Sequence, residues 1–427
     1  MKKKSLIGLT FLTISTIAQS NDVVQSVEKE DRARSVREVV SDIRKNETKE
    51  PTVVDNFKHM FEAGKVSGTL RVMGAGYKNK APSSVDTYAT AIGGLLKYEL
   101  AEYNGFNAGV AVSTSQDIPF ATGDKNIGEQ NSELSSVNGS YTTISEAYLN
   151  YKYNDFNFRI GRQVIDTPLA DSDDIRMVHN TFEAYIATYD FKEIAFMAGH
   201  LNSWQGTDAG VDDGWIEAGE NGVTFAGASY SEDLTFEAWY YNFSEYTNAI
   251  YLEAGIEHDM AENIQLHGVL QYLNETQLQG SGIGANVYGA LVELIAYDIG
   301  FGIAYNGADK QNGKSSFSAL GGGALFTSMD TFIIDEIAQD RDASALLGGI
   351  RYELDNFHFY YAYALFDGKA DSSGAKAKLS EQNMGFEYNV NDEFLVSALY
   401  AISTDLNSDI KTDSDWDRVQ LMVNYNF

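Results

Sequence analysis

From about Val66 to Phe427 the chain runs as short segments in which large apolar residues alternate with small or polar ones. In the stretch from Phe357 to Leu365 the odd positions are large and mainly apolar, and the even ones are His358, Tyr360, Ala362 and Ala364. The last segment places Val419, Leu421, Val423, Tyr425 and Phe427 on one face and Arg418, Gln420, Met422 and Asn424 on the other. A period of two is the signature of a strand with two different faces. About eighteen such segments can be counted, each with its connection averaging about twenty residues.

The connections alternate in length. Tyr103-Asn104-Gly105, Asn154-Asp155, Ser231-Glu232-Asp233, Asp298-Ile299-Gly300, Asp355-Asn356 and Asn391-Asp392 read as tight turns after every second strand. Longer polar loops lie between them, at 117–141, 166–181, 203–221 and 307–341. A water-soluble barrel would turn its apolar face inward, so alternation by itself leaves the surroundings open. Strand number and the short/long rhythm decide for an all-β, transmembrane antiparallel β-barrel of about 18 strands, with short periplasmic turns and long extracellular loops. A barrel of that size is too wide for side chains to fill and keeps an aqueous lumen.

The N-terminus supplies a route to such a destination. Lys2, Lys3 and Lys4 precede an uncharged apolar run from Leu6 to Ala18 that ends in Ala18-Gln19-Ser20, the pattern of a secretory signal peptide over residues 1–20. No later stretch has the roughly 20 uninterrupted apolar residues of a membrane helix; even 290–305 is broken by Glu293 and Asp298. Residues 21–56 form a charged periplasmic arm in which Val36, Val39, Val40 and Ile43 fall at helical spacing before Pro51. That arm is either a mobile extension or a docked plug; the barrel domain is expected from residue 57 to Phe427.

Composition agrees with a sheet protein: Tyr 26, Phe 23 and Gly 38 against Pro 4. With no cysteine, disulfides and thiolate metal sites are excluded. A net charge of -30 argues against nucleic acid as a partner.

Gly64-Lys65-Val66-Ser67-Gly68, the run from Gly161 to Ala170 and the run from Asp173 to Val178 resemble OprD-like porins of epsilonproteobacteria. Thr181-Phe182-Glu183-Ala184-Tyr185, Gly321-Gly322-Gly323 and Phe326-Thr327-Ser328-Met329 add to the resemblance, which covers about Phe57 to Phe427. The terminal Phe427, closing an alternating strand, is similar to the signal read by the outer-membrane assembly machinery. The resemblance implies an eighteen-stranded channel in the outer membrane for small hydrophilic solutes, often amino acids or other carboxylates. It implies narrowing by the third and seventh outer loops, here 166–181 and 307–341, and a monomer or homotrimer among outer-membrane lipid and lipopolysaccharide.

Selection in a channel comes from pore width and lining charge. Alternation turns Arg71, Lys97, Lys152, Arg159, Arg351 and Arg418 inward, with Glu146, Glu237, Glu253, Glu293 and Glu353. Arg71 and Arg418 lie on the first and last strands and become neighbours on closure. Loop 166–181 brings Asp166, Asp173, Asp174 and Arg176 to the constriction. Arg162 has lipid-face parity unless a bulge near Gly161 turns it in, and the cost of an arginine facing lipid favours the bulge. The expected pathway therefore has Arg71, Arg159, Arg162, Arg176, Arg351 and Arg418 on its basic side and Asp166, Asp173 and Asp174 on its acidic side. Those arginines either guide carboxylates by forked hydrogen bonds or pair with lumen glutamates and stiffen the wall.

No cofactor or metal is implied, and no enzyme: His267 and His358 face inward without a nucleophile motif. Loop 203–221 carries Asp208, Asp212, Asp213, Glu217 and Glu220 and no lysine or arginine. Such acidic loops leave a second expectation, a surface structural or adhesive barrel.

Overall fold

A computed structural model describes residues 52–427 except 81–83, 135–138, 211–213, 233, 318, 322 and 407–414. The signal peptide and most of the N-terminal arm, including the helix expected around Val36 to Ile43, lie outside the described residues.

A six-residue helix, α1 (Phe57–Glu62), leads into the sheet. The strands are β1 (Lys65–Asn79), β2 (Thr87–Glu99), β3 (Phe106–Asp117), β4 (Tyr141–Tyr153), β5 (Phe156–Gln163), β6 (Thr181–Phe191), β7 (Ile194–Gln205), β8 (Ile216–Glu217), β9 (Val223–Ser231) and β10 (Leu234–Phe243). They continue as β11 (Thr247–Ala261), β12 (Ile264–Gln277), β13 (Ala285–Ala296), β14 (Ile299–Asp309), β15 (Ala343–Leu354), β16 (Phe357–Gly368), β17 (Ala377–Asn389), β18 (Phe394–Asp405) and β19 (Trp416–Asn426). The two-residue β8 is a loop strand lying on β7. The other eighteen pair antiparallel with their neighbours, and β1 pairs with β19 from Thr69↔Asn426 to Asn79↔Trp416. That last ladder closes the sheet into a barrel without edges.

The connections at the end where β1 begins are short, and of those at the other end only the β10–β11 turn, residues 244–246, is as short. Asn104, Asn154, Tyr297 and Asp355 take positive φ of 51–57° there, the twist that lets a two-residue turn join right-twisted strands. All the long loops lie at the other end. The tight turns read from the sequence stand, with strand ends running a residue or two into the loops on either side.

Outward positions form an apolar belt. Leu70, Ile92, Leu96, Ile160, Leu270, Val292, Ile303, Val419 and Leu421 are exposed along the middle of the strands. Exposed aromatic residues flank them, among them Phe106, Tyr153, Phe156, Tyr189, Phe191, Phe394 and Phe427 at the short-turn rim and Tyr88, Tyr240, Tyr272, Tyr288 and Tyr305 toward the loops. An apolar band between two aromatic girdles is the outside of a barrel in a bilayer. The inward face carries alanines and polar residues together with a patch of large buried rings, Phe225, Trp239, Tyr241, Phe243 and Tyr251, on β9 to β11.

The registers shift at three places: one is at the short-turn end of β11, between Asp259 and Ala261, and the other two are bulges on β4 and β7 that reset the alternation. Ser145 is an extra residue on β4, so pairing steps from Ala111↔Glu146 to Val112↔Ile144, and both Ser145 and Glu146 face the lumen. Asn202 does the same on β7, between Ala184↔Leu201 and Glu183↔Ser203.

Candidate functional site: loops folded onto an arginine seam

The connection between β5 and β6 (residues 164–180, hereafter the β5–β6 loop) and that between β14 and β15 (310–342, the β14–β15 loop) fold into the barrel. Small inward side chains make this possible: Ala304, Ala345, Ala362, Ala364 and Ala401 leave room against the wall. Leu325, Phe326, Met329, Phe332, Ile334 and Ile337 of the β14–β15 loop fill it in one buried cluster with them. Burying side chains of this size contributes roughly 1.5–3 kcal/mol each.

Polar wall residues then fix the path of the β14–β15 loop. Gln271 on β12 donates to the Ala324 carbonyl at 2.5 Å. Asn306 on β14 accepts from the Thr327 amide and hydroxyl at 2.9 and 3.0 Å. Glu381 on β17 accepts from the Thr331 amide and hydroxyl at 3.2 and 2.7 Å. The loop therefore passes along the wall from β12 toward β19. The β5–β6 loop joins it where the Asp171 amide donates to the Leu320 carbonyl at 3.1 Å and the Leu320 amide to that of Leu169 at 3.2 Å. Beyond that junction Met177 and Val178 pack on Met73, Ala75, Ala89, Ala91, Leu134 and Met422, which pins the β5–β6 loop to the β1–β19 seam.

At the seam three arginines descend the wall. Arg418 is the outermost: it stands opposite Tyr77 on β1, and Arg71 stands opposite Asn424 on β19. Six residues separate the two levels along β1, about 20 Å at 3.3 Å per residue. Arg71 and Arg418 thus do not touch, and Arg176 from the β5–β6 loop occupies the gap. Its carbonyl accepts from Arg71, and its guanidinium reaches Gln420 at 3.3 Å. The same Gln420 oxygen accepts from Arg418 at 2.6 Å.

Each arginine meets a carboxylate presented by a loop. Arg71 grips Asp174 through a fork of 2.7 and 3.1 Å, while its Nε donates to Asn424 at 2.9 Å. Arg418 pairs with Asp330 of the β14–β15 loop and with Glu133 at 3.2 Å. Glu133 comes from the β3–β4 connection, accepts from the Tyr77 hydroxyl at 2.7 Å, and lies 3.7 Å from Arg176. Burial disfavours the Glu133 carboxylate, yet Arg418 and Arg176 beside it hold it below the ordinary carboxylate range. Arg176 is the least tightly held of the three, with one carboxylate at long range. Three guanidinium groups and three carboxylates balance.

Asp173 stands apart from that balance. Burial, then the charges of Asp208 and Asp171, push its carboxyl well above the usual range. Asp208 in turn accepts from the Asn180 side chain at 2.6 Å, which ties the β5–β6 loop to the next loop. Asp166 lies at the root of the loop and accepts from the Ser172 amide at 3.1 Å.

Lower on the same wall Lys97 pairs with Glu146 at 3.0 Å, and the Arg159 guanidinium lies 4.3 Å over the Tyr148 ring. Arg159 also donates to Asn150 at 3.2 Å. Lys152 keeps its inward parity near the rim. Arg351 is on another wall, bound to Glu293 at 3.1 Å and Glu353 at 2.7 Å.

Arg162 requires a correction. Gly161 does take a φ of +117°, but β5 stays in register with both neighbours, Ala147↔Arg162 on one side and Arg162↔Glu183 on the other. The extra residues belong to β4 and β7, so nothing turns Arg162 inward. It faces out with Glu183, 3.5 Å away, under the Trp215 ring at 4.4 Å. As the next-to-last residue of β5 it lies toward the rim, where an outward arginine costs about 0–1 kcal/mol rather than the midplane penalty.

Sequence reading missed Glu133 and Asp330, two of the three carboxylates on the seam. Glu133 is one acid among several in a polar loop, and nothing in its spacing sets it apart. Asp330 directly follows Phe326-Thr327-Ser328-Met329, a run already notable for its resemblance. Histidines and acids do not gather into a metal-binding group among the described residues.

Comparison with known proteins follows from this geometry. Among curated proteins, sequence comparison finds no match. Solved barrels are similar in fold: OpdK of Pseudomonas aeruginosa, crystallised with vanillate, at 15% identity and TM-score 0.71, covering 86% of this chain and 99% of that one. OccAB2 of Acinetobacter baumannii gives 16% and 0.73 with the same coverage, and OccK8 (OprE) of P. aeruginosa gives 17% and 0.68, again over 86% and 99%. The family model described as "outer membrane porin, OprD family" matches residues 106–427, three quarters of the chain. The closed eighteen-stranded barrel, its inward loops and that match establish that the chain belongs to the OprD family of outer-membrane porins.

Proposed function

We propose that this porin prefers small organic carboxylates, passed inward along the seam from Arg418 through Arg176 to Arg71 and on toward Arg159. The observation that carries this reading is that the loops themselves already set carboxylates on two of these guanidinium groups, with the forked geometry on Arg71. A solute carboxylate can join this line at Arg176, whose nearest carboxylate among the described residues is 3.7 Å away, without leaving Asp174 or Asp330 buried and unpaired. Arg176, between Arg418 above and Arg71 below, is where the solute carboxylate forms its strongest pair. Asp166, Asp173 and Asp174 shape the acidic side of the constriction through the β5–β6 loop, and Arg351 contributes farther along on another wall. OpdK, similar in fold, was crystallised with the aromatic carboxylate vanillate. On the outside, the aromatic girdles meet lipid and lipopolysaccharide. The adhesive-barrel reading has no comparable support.

Liposome swelling with gluconate against the sugar alcohol sorbitol, neither of which crosses lipid unaided, tests this. The wild type admits the carboxylate faster, and Arg176→Gln reduces that rate about tenfold, the worth of one charge-assisted hydrogen bond, while leaving the alcohol rate in place. Equal rates for the two solutes in the wild type would refute the preference.

A further inference from the structure

Helix α1 lies on the outside of the barrel at the periplasmic rim. The Tyr98 hydroxyl, on the outward face of β2, donates to the Phe61 carbonyl at 2.6 Å. A side chain on Gly64, next in the chain, would collide with the same hydroxyl. The helix is held from the inner side as well: the Ala101 amide donates to the Met60 carbonyl at 3.0 Å, and Met60 is buried. Residues 52–54 continue the attachment by bridging to Glu102 in the β2–β3 turn.

A helix held this way shows three sides. Met60 faces the barrel. Lys58 and Glu62 pair at 2.9 Å on a charged side. Phe57 and Phe61, one turn apart and packed edge to face at 5.4 Å, form the third side and are 66% and 49% exposed. They are larger and more apolar than anything else on the helix, and the Phe61 carbonyl is bonded to Tyr98, which pairs with Val66 on the outward rim where Phe427 also lies. These rim residues belong to the aromatic girdle of the lipid-facing wall, and the two phenylalanines continue it off the end of the strands.

We infer that α1 is a membrane foot, whose Phe57 and Phe61 side inserts into the headgroup-to-acyl boundary of the periplasmic leaflet and takes phospholipid as its partner. Amphipathic helices with an aromatic side and a charged side settle at that depth. The foot would fix the height of the first hairpin, where the barrel closes, against the membrane surface.

The absence of cysteine makes the test direct, because one introduced thiol is a unique labelling site. Phe57→Cys, Phe61→Cys, Lys58→Cys and Val66→Cys proteins, each spin-labelled and reconstituted in phosphatidylethanolamine/phosphatidylglycerol vesicles, are compared for collision with oxygen and with a water-soluble nickel chelate. Labels at 57 and 61 should resemble the lipid-facing label at 66, rich in oxygen and poor in nickel, while the label at 58 should be rich in nickel. Labelling Phe61→Cys leaves Phe57 in place, so loss of one anchor does not confuse the result. Nickel-rich labels at 57 and 61 would place the helix in water and overturn the inference. Labels shielded from both reagents would also overturn it, by showing protein on that side instead of lipid. Because the readout is independent of conduction, it does not depend on which solute the channel prefers.

Discussion

Arg418 and Arg162 are both arginines near the outer ends of barrel strands, yet their surroundings predict opposite behaviour. The Arg418 side chain is fully buried against Asp330, itself 2% exposed, so deleting it leaves Asp330 buried without its guanidinium and Glu133 with only the more distant Arg176. Arg418→Ala should lower stability by about 3–5 kcal/mol in a urea-unfolding measurement. Arg418→Lys should recover little, since an ammonium cannot fork between Glu133 and Asp330. Arg162→Gln should change stability by less than about 1 kcal/mol, its pair being about one-third exposed. It should also leave the reversal potential unchanged; a shift would return Arg162 to the pathway. Alternation gave the inward parity of Arg71, Arg159, Arg351 and Arg418 because it holds wherever pairing is regular. Alternation also gave Arg162 its outward parity, and the expectation went wrong only in invoking a bulge near Gly161 to turn it in: Gly161 has the unusual φ, while the extra residues are Ser145 and Asn202.

Among the elements, the β14–β15 loop has the most specific attachment, and part of it depends on a proton. The Ser316 hydroxyl lies 3.1 Å from a Glu275 oxygen and 3.0 Å from an Asp335 oxygen. One hydroxyl proton can satisfy only one of them, so the arrangement is complete when one carboxyl is protonated. Burial raises the Asp335 carboxyl from 3.8 to about 7. Burial and then Asp335 raise Glu336, its neighbour, to about 7 as well. A raised acid binds its proton more tightly in the docked state, so its contribution is full below about pH 4 and is lost as pH rises to about 7. Hydrogen exchange at the Phe317 amide, which donates to Glu275 at 3.0 Å, should therefore indicate weaker docking at pH 8 than at pH 5, beyond the intrinsic rate change. Asp335→Asn should remove most of that difference, with Glu336 supplying the remainder; an unaltered slope would refute the proton link. The rhythm of short turns and long loops was legible because turn chemistry is local. Where the loops settle was not, since it depends on inward alanines from four different strands and on single polar groups such as Gln271, Asn306 and Glu381.

At the scale of the whole molecule, a closed wall with an apolar outside leaves water only one way through the membrane, and the inward loops narrow it. Fold class and location followed from strand number and loop asymmetry, features summed over the whole chain and tolerant of local error. The most direct test of a water-filled barrel narrowed by its own loops is single-channel conductance in a planar bilayer, wild type against a protein in which residues 317–338 are replaced by a short Gly/Ser linker. A small conductance in the wild type that rises severalfold in the variant is the predicted result. Equal conductance in two demonstrably folded proteins, or none in either, would contradict it.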